Sequence, residues 1–199
     1  MEVVDSEMSQ SILDQDVRLR IRHSFPTVLW PDVDVVSLLL EPLYNDPAWS
    51  ISPDSIGPIL LNGKQLSIPY RVYLLEPEPD RLSALTDIQQ LILSAILSRS
   101  NNGFVREKCV RELLRSDEPW IPPFVLQLLG EYVLPIIRVV EDQSTVLKRP
   151  EYRRFVIENP AFFQLLKQRI TSYWNCYYRA MFPRLKDYPA SRIVEVFST

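Results

Sequence analysis

The stretch "IPPFVLQLLGEYVLPIIRVV" (121–140) decides the fold. Its length and apolarity pose a choice between a membrane span and a buried core helix. Gln127, Glu131 and Arg138 interrupt it, and a glutamate near the middle of a span costs a few kcal/mol in lipid. A core helix is therefore expected. Leu126, Leu129, Val133, Ile137 and Val140 recur at helical spacing and form its apolar stripe. Pro119, Pro122 and Pro123 suit only a first turn, where a missing N–H is harmless. Pro135 lies inside the pattern. It has no N–H for the Glu131 carbonyl, so a kink is expected there. Glu131 lies in an apolar helix beside that kink, where burial alone would raise its pKa. Such a glutamate more often reaches an internal partner, here Arg138, than serves as an acid or base.

Upstream, helical and hairpin signals alternate. Leu13, Val17 and Ile21 recur every four residues within 9–24 and predict a helix, although "VRLRIR" alternates as a strand would. Residues 31–44 predict a second helix, capped by Asp32, with Val35, Leu38 and Leu39 as its stripe and Pro42 near its end. Residues 45–58 read as loop. Asn62-Gly63 between apolar runs predicts a β-hairpin, because both turn residues must take positive φ. Leu66, Ile68, Tyr70 and Val72 alternate beyond it, and Pro69 confines that strand to an edge. "EPEPD" (76–80) is a stiff acidic connector, giving an N-terminal helix-plus-hairpin unit over 1–75 and a helical unit over 81–199.

Downstream of the connector every signal is helical. Thr86 and Gln89 have capping-box spacing, and Ile88, Ile92 and Ile96 share a face. In 104–116, Val105, Cys109, Val110 and Leu113 face inward, with Arg106, Lys108, Arg111 and Glu112 largely outward. Asn159-Pro160 places a capping side chain before a first-turn proline, and a helix is expected to run from there to Phe182. Within it Phe162, Phe163, Leu166, Ile170, Tyr173, Trp174, Tyr177 and Met181 fall on one inward stripe. Tyr178 points away from that stripe.

Composition excludes several chemistries. Four glycines, none close to another, leave no phosphate-cradling loop. A single histidine, His23, and two cysteines, Cys109 and Cys176, support neither a zinc site nor a disulfide framework; no metal and no cofactor are expected. Both cysteines read as buried free thiols of a reducing compartment. Cys176 as a nucleophile needs a base, and His23 lies about 150 positions upstream. The acidic N-terminus lacks the basic and apolar regions of a secretory signal. Residues 144–192 hold ten basic and three acidic side chains, a net of +7, so the remainder carries −10 of the total −3. That asymmetry suits either attraction between the halves or an anionic partner.

Two resemblances add to this. Val105-Arg106, Cys109 at a small-residue position and Leu113-Leu114 give residues 101–140 a pattern that resembles one HEAT-type helical hairpin, with Asn101 or Asn102 in place of the usual aspartate. No second copy follows at a period near 40, and a solenoid needs at least three. "SYWNCYYR" (172–179) is similar to a string in small uncharacterised bacterial proteins, which implies a bacterial cytoplasmic setting and no activity.

The sequence therefore predicts a mainly α fold: about seven helices in antiparallel pairs, with one small β-hairpin. The expected function is a non-catalytic adaptor or scaffold, binding a protein partner through Arg153, Arg154, Lys167, Tyr178, Arg179 and Lys186, away from any membrane. The alternatives are nucleic-acid binding through the same residues and an enzyme built on Glu131 or Cys176. Oligomeric state is not legible in the sequence.

Overall fold

The computed structural model describes residues 13–44, 50–52 and 57–197. Among them the protein is mainly α, with ten α-helices and one two-stranded antiparallel hairpin. Helix α1 (Gln15–Arg22) is capped by the Asp14 carboxylate, which accepts from the Asp16 N–H. Helix α2 (Trp30–Ser37) takes Pro31 in its first turn, so Asp32 lies within the helix and does not cap it. It buries Val33 and Val36, with Leu40 buried just beyond its end; of the expected stripe Val35 and Leu38 are exposed and Leu39 is half-buried against the core. Both stripes are apolar in sequence; packing against α1 and helix α4 (Asp87–Leu97) selects between them.

Strands β1 (Ile59–Leu61) and β2 (Lys64–Leu66) pair around Asn62 and Gly63, both at positive φ. The Thr86/Gln89 capping box opens α4 as expected. Short α3 (Pro79–Leu82) lies in and just after the connector. Helix α5 (Gly103–Arg115) buries Val105, Cys109, Val110 and Leu113, and packs on α4 and on α7 (Leu134–Asp142). Core side chains from both sides of 76–80 belong to one hydrophobic cluster; Phe25, for example, stacks on Phe124 at 5.2 Å.

The decisive stretch forms two helices, in place of the kinked one expected. Helix α6 (Pro122–Leu129) ends at Gly130, and α7 restarts with Pro135 in its first turn. A proline that cannot donate within a helix is well tolerated at the start of one. Gly130 has a packing reason: a Cβ there would lie 2.9 Å from Leu166 Cδ1 of α9 (Pro160–Tyr173). The break leaves Glu131 in the core between the two helices. No helix among the described residues is long and apolar enough to cross a membrane.

Helix α8 (Pro150–Glu158) leads into α9, but Asn159 does not cap it. Its Oδ1 accepts from the Leu60 N–H at 2.7 Å, and its Nδ2 donates to the Leu60 and Phe155 carbonyls, both at 2.8 Å. A two-stranded ribbon needs such support. Helix α9 also ends earlier than the sequence suggests, in a π-helical turn over Trp174–Tyr178; α10 (Pro189–Glu195) completes the chain. The split of 121–140, together with α3 and α10, raises the count above seven.

Candidate functional site

Two arrangements of charge distinguish this molecule, one buried and one exposed. The buried one is centred on Glu131, which is 1% exposed. Arg71 Nη1 and Arg99 Nη2 donate to its Oε1 at 2.8 and 2.7 Å. Arg106 Nε lies 3.1 Å from Oε2, a charge contact off the line of a directed hydrogen bond. Each arginine comes from a different element. Arg71 follows the hairpin in an extended segment pinned on both sides: its carbonyl accepts from the Ser52 N–H, and the next residue, Val72, donates to the Arg99 carbonyl. Arg99 follows α4, and Arg106 stands in α5.

Three guanidinium groups around one carboxylate leave a surplus of positive charge. Backbone carbonyls take up part of it: Tyr70 accepts from Arg71 and Arg99, and Ser100 and Asn101 accept from Arg106. Burial pushes Arg99 down to about 10, so it stays charged at neutral pH. Burial opposes ionisation of Glu131, but Arg99, Arg71 and Arg106 together outweigh it and hold its pKa below the ordinary value. The sequence-based expectation of a raised pKa with Arg138 as partner is therefore wrong in both respects. Arg138 pairs with Glu141 on the surface. Arg106, expected to face outward, is buried because Glu131 gives it a counter-ion. The cluster ties the segment after the hairpin to α4, α5 and the α6–α7 break.

The exposed arrangement lies on α8, α9 and the turn after it. A π-helical turn adds a residue to the helical repeat, so the inward register slips by one. Tyr177 and Met181, expected in the core, are 64% and 63% exposed. Tyr178 and Phe182 pack inward in their place. Tyr178 stacks on Tyr188 at 5.3 Å, and its hydroxyl donates to the Tyr132 carbonyl. Trp174 is half-buried and donates from Nε1 to the Phe182 carbonyl at 2.8 Å. Cys176, expected in the core, is exposed, whereas burial pushes the Cys109 thiol up to about 12.

Of the basic residues singled out from sequence, the structure sets two, Lys167 and Arg179, beside one groove. Lys167 Nζ sits over the Phe163 ring at 5.1 Å and the Arg179 guanidinium over Trp174 at 5.7 Å. Lys167 and Trp174 line an open groove of about 590 Å³, with Gln164, Gln168, Thr171 and Asn175. Phe163 meets Phe197 edge-on at 5.8 Å, and Phe197 lines a second cleft with Arg153 and Lys148. Arg154 is exposed on α8, and Lys186 is exposed in a short turn after the π-helical one. Tyr178 is half-buried, packed on the core and against Tyr188. Two exposed aromatics near this turn that sequence reasoning missed are Tyr177 and Tyr132, whose rings lie 5.8 Å apart. Only the register slip separates Tyr177 from Tyr178, and nothing in local composition announces it.

Among the described residues no group of three or more His, Cys, Asp or Glu is placed to hold a metal ion. No protein-family model, curated protein or solved structure matches the chain.

Proposed function

We propose that this protein is a non-catalytic adaptor or scaffold that holds an acidic polypeptide on the α9 face. One observation carries the proposal: two cations seated on aromatic rings, Lys167 on Phe163 and Arg179 on Trp174, beside the open groove between them. A cation held over a ring is positioned in advance and loses less freedom on binding. The lining amides and hydroxyls of Gln164, Gln168, Thr171 and Asn175 offer donors and acceptors suited to a peptide backbone. A protein partner fits better than a nucleic acid. Polyanion binding draws on many phosphate contacts, and here the whole chain is net −3, with Arg184 and Arg192 already committed to Asp187 and Glu141.

The test compares partners recovered from the native host by wild type and by a Lys167→Glu, Arg179→Glu variant. A bound acidic protein should be lost from the variant and kept by Arg154→Glu. Identical partners on both baits would remove the α9 face from consideration. Retention of RNA or DNA, with affinity falling steeply in salt, would replace the protein partner by a nucleic acid.

A further inference from the structure

A second groove, of about 600 Å³, lies between the 76–79 connector, α3, α4 and the outer side of α5. Its volume falls within the range of ligand sites, about 300–1,000 Å³. Leu82, Leu91, Leu93 and Leu97 give it an apolar floor, and Leu82 and Leu91 are only half-buried. Four carboxylates stand around it, those of Glu76, Glu78, Asp87 and Glu112, against the single cation of Lys108. Lys108 lies 3.5 Å from Glu76, and Glu112 is shared with Arg115. No cation among the described residues pairs with Glu78 or Asp87. The groove is thus leucine-floored with a rim of net −3.

The walls choose the mode of binding. They are helices and a proline-stiffened connector, with no strand of the hairpin among the lining residues, so strand addition to a sheet edge is not on offer. A groove between helices takes the apolar face of another helix. Charge complementarity then sets what flanks that face. We propose that this groove docks an amphipathic helix of a partner protein, with leucine-type residues on one face and Lys or Arg on its borders. The site shares no residue with the α9 face and has the opposite charge. The chain would therefore bridge two partners of unlike charge.

The experiment titrates the full chain with three synthetic helix-forming peptides of about 18 residues, or five turns. One carries Leu on one face and Lys on the other; the second replaces Lys by Glu; the third keeps Lys and replaces Leu by Ser. The leucine–lysine peptide should bind about tenfold or more tighter than either control and shift the methyl resonances of Leu82 and Leu91. Glu78→Lys with Asp87→Lys should weaken it by a similar factor. Asp87 stands in the first turn of α4, so Glu112→Lys, which leaves that turn untouched, provides a second variant with the same expected direction. Equal binding of the serine–lysine peptide would overturn the proposal, since charge alone would then explain the affinity. So would full binding by both variants. Concentration-dependent self-association that the variants abolish would also overturn it, by making a second copy of this chain the occupant.

Discussion

Arg99 and Arg179 carry the same guanidinium group in contrasting surroundings. Arg99 is fully buried, donates to Glu131 and the Tyr70 carbonyl, and shares its carboxylate with two other arginines. Arg179 stands in water over the Trp174 ring, with the Asn175 side chain as its polar partner. An ion that has left water depends wholly on its partners, while one still solvated loses little when a partner goes. The two regions should accordingly respond to mutation in opposite ways. The buried cluster is expected to govern stability, and the exposed band is the surface proposed for association.

The largest effect is expected at Glu131. Glu131→Gln keeps the shape and removes the only carboxylate among three buried cations. Breaking a buried ionic group in this way costs about 3–5 kcal/mol, to be read from urea unfolding of variant and wild type. The pH dependence has a defined sign. The folded-state pKa of Glu131 is lowered from its ordinary value of 4.5. The carboxylate's contribution is therefore complete above that value and is lost as pH falls through the lower, folded value. Wild type should lose stability faster than Glu131→Gln below the ordinary value. Parallel pH profiles would mean that the arginines do not hold this carboxylate ionised.

A middle case sharpens the contrast, because Asn159 is buried but uncharged. Asn159→Ala removes three hydrogen bonds and leaves the Leu60 amide and carbonyl without that partner. A loss of about 1–3 kcal/mol is expected, with hydrogen exchange rising first in β1 and β2. An unchanged exchange rate at Leu60 would mean that Asn159 does not hold the hairpin, leaving that role to Glu158, which accepts from the Asn62 and Gly63 amides.

The same regions also show what the sequence could disclose. The hairpin turn and the α4 capping box were legible because their chemistry is local: positive φ at Asn62 and Gly63, and two side chains three residues apart. The Glu131 cluster was not, because Arg71 and Arg99 lie 60 and 32 residues away in sequence. Charged residues usually face water, and that prior misplaced Arg106. The split of 121–140 was half legible: Pro135 marked the right place, but a kink and a fresh start look alike until Gly130 is seen packed against Leu166. On the α9 face the cations Lys167 and Arg179 were identified correctly as exposed, while a single π-helical turn exchanged Tyr177 for Tyr178.

The smallest effect on stability is expected at the face proposed to matter most for binding. Lys167→Glu with Arg179→Glu removes two cation–ring contacts, each worth about 0.5–1 kcal/mol at exposed sites. Part of that is recovered because the freed side chains regain motion and water. The net change should stay near or below 1 kcal/mol, so the variant should unfold close to wild type in the same urea series. A loss comparable to that of Glu131→Gln would place these cations among the structural charges and break the division of labour drawn above. Near-wild-type stability together with loss of the acidic partner would confirm that burial, and not residue type, decides which arginines hold the fold and which meet the partner.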